Sequence, residues 1–199
     1  MPYSERKQNT GLRMSTHIEY SQNTKILIAN AFFRLLQTQS VDSISVKRII
    51  DECGVSRQTF YYHYKDLFAV VEFLFSGMIK QSEIECSKAD DVVKRIKIIL
   101  ERIDDNRLLI NRMMHSKWAG DFQIFASDRI VDLLETIWTA QSDYYSGISH
   151  EDARFLSGFL TYVIMGCTAM AVMKDKPLDV DRLAEKIYRL ATGQLKLMR

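Results

Sequence analysis

Three features of this 199-residue chain predict an all-α fold. Helix breakers are scarce, with two prolines (Pro2 and Pro177) and eight glycines, so long helices can run uninterrupted. Apolar residues recur at intervals of three and four through most of the length. No long run of strict alternation between apolar and polar residues, the mark of a half-buried strand, interrupts this pattern. A hydrophobic content of 47% and a charged content of 26% suit a globular chain with a sizeable core.

Residues 1–20 are polar and aperiodic and read as a flexible arm. A first helix is expected from Gln22 to Gln37, with Ile26, Ala29, Phe33 and Leu36 on its inner face and Ser21 or Asn23 as its cap. "TQSVDSIS" is the connection to a second helix, "VKRIIDEC". Ser45 caps that helix, and Val46, Ile49, Ile50 and Cys53 form its apolar stripe. Gly54 follows the last periodic residue and ends it. Ser56 caps a short third helix, Arg57 to Tyr64. A fourth starts at the cap Asp66 and runs to Glu85, with Leu67, Val71, Leu74, Phe75 and Met78 inward. Further helical periods cover 90–104, 106–115, 119–145, 150–174 and 179–197, and "SGISHED" and "DKPLDVD" are the clearest breaks.

The third helix packs four rings into five positions, Phe60 to Tyr64. Phe60, Tyr64 and Leu67 share one face at i, i+4, i+7 and can pack beneath the first two helices. The opposite face presents Arg57 with Tyr61 and Gln58 with Tyr62, each pair four apart, flanked by Thr59 and His63. A helix, a glycine turn and a short helix with a polar outer face form a helix-turn-helix, whose second helix fits the DNA major groove. Arg57 can pair bidentately with guanine and Gln58 with adenine, while Thr59 can meet a thymine methyl or a phosphate. Tyr61, Tyr62 and His63 carry tips that reach phosphate oxygens. Ser45, with the N–H groups opening the second helix, and Lys47 just inside it can hold another phosphate.

Residues 29–75, "ANAFFRLLQTQSVDSISVKRIIDECGVSRQTFYYHYKDLFAVVEFLF", resemble the DNA-binding domain of TetR/AcrR-type bacterial transcriptional regulators. The most telling piece is "ISVKRIIDECGVSRQTFYYHYKD". The resemblance implies nine helices per chain and a homodimer that binds double-stranded operator DNA. It also implies a larger C-terminal domain that dimerises and, in many members, binds a small-molecule effector. The domains are then a 1–20 arm, a 21–66 DNA-binding domain and a 67–199 C-terminal domain. Two positions depart from the family pattern. Leu67 stands where a lysine commonly meets a phosphate, so that contact is lost or passes to Lys65. Ile50 stands where a small residue lets the two helices cross closely.

In the C-terminal region, His115, Trp118, Phe122, Phe125, Trp138, Tyr144, Tyr145 and Tyr162 are the ring-bearing residues from which a pocket could be built. His115, Trp118, Phe122, Trp138 and Tyr162 are the pocket candidates, with core packing as the alternative for each. His115 and His150 are isolated, so no metal site is expected, and no P-loop, glycine-rich phosphate motif or nucleophile–base pair points to a cofactor or an enzyme.

Net charge is +2, with nine Lys/Arg against six Asp/Glu in residues 1–70 and a slight acidic excess beyond. Arg6, Lys7 and Arg13 make the arm basic enough to enter a minor groove, although a functionless arm is the plainer reading. Cys53, Cys86 and Cys167 lie far apart and build neither a disulfide framework nor a metal spacing. They suit a reducing cytosol, and "MPYSERKQNTGLRMS" lacks the apolar core of a signal peptide, so a cytoplasmic protein is expected. Residues 155–173 carry no charge over 19 positions. Their Ser157, Thr161 and Thr168 favour a helix buried on all sides over a membrane span. Gly158, Thr161, Met165, Gly166 and Ala169 on that helix offer close approach to a partner copy. The expected function is transcriptional regulation, with repression as the family's base rate. The alternative is a co-regulator of the same fold acting mainly through protein–protein contacts.

Overall fold

The computed structural model describes residues 16–89, 91–139, 149–173 and 176–194. Among them are nine α-helices and no strand: α1 Thr16–Thr38, α2 Val46–Cys53, α3 Arg57–His63, α4 Leu67–Cys86, α5 Val92–Asp105, α6 Arg107–Met114, α7 Ala119–Thr139, α8 His150–Met173 and α9 Val180–Ala191. A single 3-10 turn, Val41–Ser43, lies in the connection between α1 and α2.

Local chemistry sets the helix ends where the sequence signals them. The Ser45 hydroxyl accepts the Arg48 N–H at 3.3 Å, Ser56 accepts that of Thr59 at 3.0 Å, and an Asp66 carboxylate oxygen accepts that of Ala69 at 2.8 Å. Gly54 closes α2 in the left-handed region, with φ 73°, where a side chain would be strained. Gly193, with φ 68°, does the same after α9, and the Gln194 N–H returns to the Arg189 carbonyl at 2.8 Å. That turn ends α9 at Ala191, short of the expected residue 197.

The expected inner face of α1 is displaced. Ile26 and Phe33 are exposed, and the buried apolar residues are Ile28, Ala29, Ala31, Phe32 and Leu36. The helix also begins at Thr16, inside the expected arm and without the Ser21 or Asn23 cap. Arg6, Lys7 and Arg13 lie outside the described residues.

Phe32 and Leu36 of α1, Ile49 of α2, Phe60 of α3 and Tyr64 just after it close the N-terminal core. The Tyr64 hydroxyl donates to the Lys25 carbonyl at 2.9 Å and pins the end of α3 to α1. Ile50 and Leu67 are half-buried against this core. α4 carries the core onward: Phe75 meets Phe122 and Phe125 edge-on at 5.4 and 5.8 Å, and Phe68 tilts onto Trp118 at 6.1 Å. Beyond it, α7 packs along α8 and α5 along α9.

α8 corrects the expectation of burial on all sides. Its inner side, including Leu160 and Ile164, is buried, but Phe155, Phe159, Tyr162 and Met170 are exposed. The buried hydroxyls of Ser157, Thr161 and Thr168 each donate to the carbonyl four residues back, at 2.8, 2.8 and 2.9 Å. Their polarity is thereby satisfied inside an apolar setting. Thr161 thus points into the protomer, away from any partner. By length and composition α8 could cross a membrane, yet a third of that apolar window is already buried inside this fold.

Candidate nucleic-acid interface

α3 is held by its inner rings and presents the rest. Phe60 and Tyr64 are buried, with ring centroids 6.0 Å apart, while Tyr61 is 47% and Tyr62 72% exposed. Arg57 lies against Tyr61, its guanidinium 5.6 Å from the ring centroid and one N–H 3.5 Å from the hydroxyl. This contact splays Arg57 along the outer face and limits the rotamers it must lose on binding. Gln58 is exposed beside it. Thr59 is half-buried, and its hydroxyl lies 2.8 Å from that of Ser56, so its methyl is the freer group.

At the far end of α3, Tyr62 and His63 meet edge-on at 5.0 Å. Partial burial, and then the nearby Lys25 ammonium, hold the His63 imidazole below its ordinary value. Lys65, Lys47 and Ser45 are exposed, and the Ser45 hydroxyl is already engaged as the α2 cap. Leu67 faces the core periphery, so Lys65 is the cation nearest the start of α4 in sequence.

Two basic residues escaped the sequence reading. Arg48 is exposed on α2, and Lys25 of α1 sits with its ammonium 5.5 Å from the Tyr64 ring and 4.7 Å from that of Phe73. The first was legible as a surface residue of α2. The second is brought beside α3 only by a contact across 39 residues.

A second site lies in the C-terminal half. A cavity of about 430 Å³ is walled by α4–α8, and His115, Phe122 and Tyr162 line it. Trp118 does not: it packs on Phe68, with the Lys117 ammonium 5.0 Å from its ring. The side chain of Trp138, and Tyr144 and Tyr145, lie outside the described residues. Asn111, Met114, Gln123 and Met165 also line the cavity. Met and amide side chains carry no periodic signal of a cavity, which is why the ring-based reading missed them. Among the described residues no three His, Cys, Asp or Glu side chains gather as a metal site.

α6 joins the two sites. Arg112 sits between Asn111 and His115, and its guanidinium donates to the carbonyls of Leu36, Gln37 and Gln39 at the C-terminal end of α1. Those carbonyls have no partner in the helix itself, and a cation suits the negative end of the helix dipole. The Lys117 N–H adds a bond to the Asp42 carboxylate at 3.3 Å.

Residues 28–66 match the family described as bacterial regulatory proteins, tetR family, and residues 90–193 match the family described as transcriptional regulator C-terminal region. The chain belongs to the TetR family of transcriptional regulators. It is 21% identical over 175 residues to the HTH-type dhaKLM operon transcriptional activator DhaS of Lactococcus lactis, covering 87% of this chain and 91% of that one. The solved structure of a dihydroxyacetone kinase operon activator DhaS superposes with a TM-score of 0.65 at 20% identity, over 86% of this chain and 95% of that one. A TetR regulator from Streptococcus agalactiae gives 0.62 at 21% identity, over 90% and 98%. These structural likenesses show the TetR fold: an N-terminal helix-turn-helix followed by a helical C-terminal domain.

Proposed function

We propose that this TetR-family regulator binds a near-palindromic operator as a homodimer, with α3 of each protomer in successive major grooves. Repression by occupancy and release by a small molecule in the C-terminal cavity complete the reading. The outer face of α3 carries it: Arg57, Gln58, Tyr61 and Tyr62 stand out from a helix whose opposite rings are locked in the core. Arg57 and Gln58 lie at the N-terminal end, where base edges are within reach, and Tyr61, Tyr62 and His63 lie nearer the backbone. Ser45, Lys47, Thr59 and Lys65 complete the proposed contact set. The exposed apolar stripe of α8 supports dimerisation, since monomers rarely display such a contiguous patch.

Sequencing genomic fragments retained by the purified protein tests this reading. One recurrent near-palindrome is expected, with a log–log salt slope of roughly −4 to −8 from counterion release. A second reading is favoured by Leu67, which stands where the family's lysine commonly meets a phosphate, and by the activator role of the relative DhaS. In it the chain acts as a co-regulator through protein contacts. Salt-independent retention, or no recurrent fragment, would support that second reading.

A further inference from the structure

We infer that the C-terminal cavity takes an uncharged, largely apolar small molecule whose one hydrogen-bonding group meets the Asn111–His115 turn of α6. This deepens the effector reading above and rests on it.

Size and lining set the class. About 430 Å³ falls within the range of small-molecule pockets. Phe75, Ile103, Met114, Phe122, Ile130 and Met165 supply most of the wall, and no Lys, Arg, Asp or Glu lines it. A charged ligand would therefore leave its charge unpaired on an apolar wall, which strongly opposes its entry. Gly166 thins the α8 side: a Cβ placed there would meet no atom within 4 Å, so the space beside it is open.

The polar groups are few. The Thr168 hydroxyl is already given to the Ile164 carbonyl. His115 Nδ1 lies 2.9 Å from the Asn111 carbonyl oxygen. That oxygen can only accept, so Nδ1 carries a proton and donates to it. The side-chain amides of Asn111 and Gln123 each offer a donor and an acceptor. A donor beside an acceptor matches a hydroxyl, which gives one hydrogen bond and takes another. A carboxylate finds no Lys or Arg on this lining, and an ammonium finds no Asp or Glu.

The test uses the full chain and Nile red, a neutral apolar dye whose fluorescence rises on leaving water. Decan-1-ol, decanoate and decylammonium share a chain length and compete for the dye. Decan-1-ol should displace it at a concentration at least about tenfold below either ion, because a buried charge without a partner is strongly disfavoured. Ala126→Leu narrows the cavity and should weaken dye binding, and circular dichroism checks that it folds. Asn111→Ala, on the half-buried edge, should shrink the preference for decan-1-ol over decane. Displacement by decanoate or decylammonium as readily as by decan-1-ol would overturn the inference. So would absence of dye binding, or dye binding unaffected by folded Ala126→Leu. No DNA enters this assay, so loss of the operator reading and loss of the ligand class are separately visible.

Discussion

On α3, the proposed division of labour runs along seven residues, and two substitutions separate its halves. Gln58→Ala removes a side chain placed to pair with a base edge. It should cost about 1–3 kcal/mol on the preferred operator and relax preference at one base position. Tyr61→Phe removes only a hydroxyl and leaves a ring for Arg57 to rest on. It should weaken all sequences alike, by about 0.5–1.5 kcal/mol. Phe60→Ala, which empties a fully buried site, should instead lower fold stability by about 3–5 kcal/mol. Binding across a panel of operator variants checks the pair, and base preference that survives Gln58→Ala but changes with Tyr61→Phe would reverse the helix in the groove. His63 adds a pH signature. Its imidazole is held low in the free protein by partial burial and by Lys25. A phosphate beside it would favour the charged ring and raise its pKa, so the complex would bind more protons than the free partners. Affinity should then rise as pH falls from about 8 to about 6, and His63→Gln should flatten the profile. Equal slopes for the two proteins would place His63 away from phosphate. The inward and outward rings of α3 were legible because i, i+4 spacing leaves one arrangement. Lys25 was not, since its place beside Tyr64 depends on a tertiary contact.

Among the elements, α6 is short yet reaches both sites, with Asn111 and His115 on the cavity and Arg112 on the end of α1. A ligand that shifts α6 would therefore move the cation that satisfies three carbonyls of the DNA-binding half. Arg112→Gln should loosen that end. Hydrogen exchange of the amides from Gln37 to Ile44 should quicken, and stability should fall by about 1–3 kcal/mol, the usual range for losing charge-assisted bonds at a half-exposed site. Unchanged exchange over that segment would show that Arg112 does not hold the end of α1. The same region shows why part of the fold escaped the sequence. α1 is apolar nearly all round from Ile26 to Leu36, so periodicity admits more than one inner face. Packing on α2 and α4 selected Ile28, Phe32 and Leu36. α2 has a single apolar stripe and capped ends, and its face and limits were readable directly.

For the whole molecule, the decisive surface is the outer side of α8. The 19-residue uncharged run made this helix conspicuous, but composition alone could not tell its inner face from its outer one. The structure places Thr161 inside and leaves Phe155 77% and Phe159 50% exposed, one turn apart. Tyr162 and Met170 extend the same stripe. A twofold pairing of this stripe would bury each ring against the partner's copy of the same face, and each substitution would then act twice. Phe159→Glu would bring two carboxylates into an apolar seam without a partner cation, at a cost of about 3–5 kcal/mol per uncompensated charge. Sedimentation velocity should show a dimer for the wild type and a monomer for Phe155→Glu and Phe159→Glu at the same concentration. Ile84→Glu, at an exposed position of α4, should remain dimeric. The monomeric variants should keep their folded helix content yet lose most operator affinity. Two half-sites about 34 Å apart are held together only when the protomers are joined. A dimer that survives both Phe substitutions would move the interface off α8 and leave its apolar face for another partner.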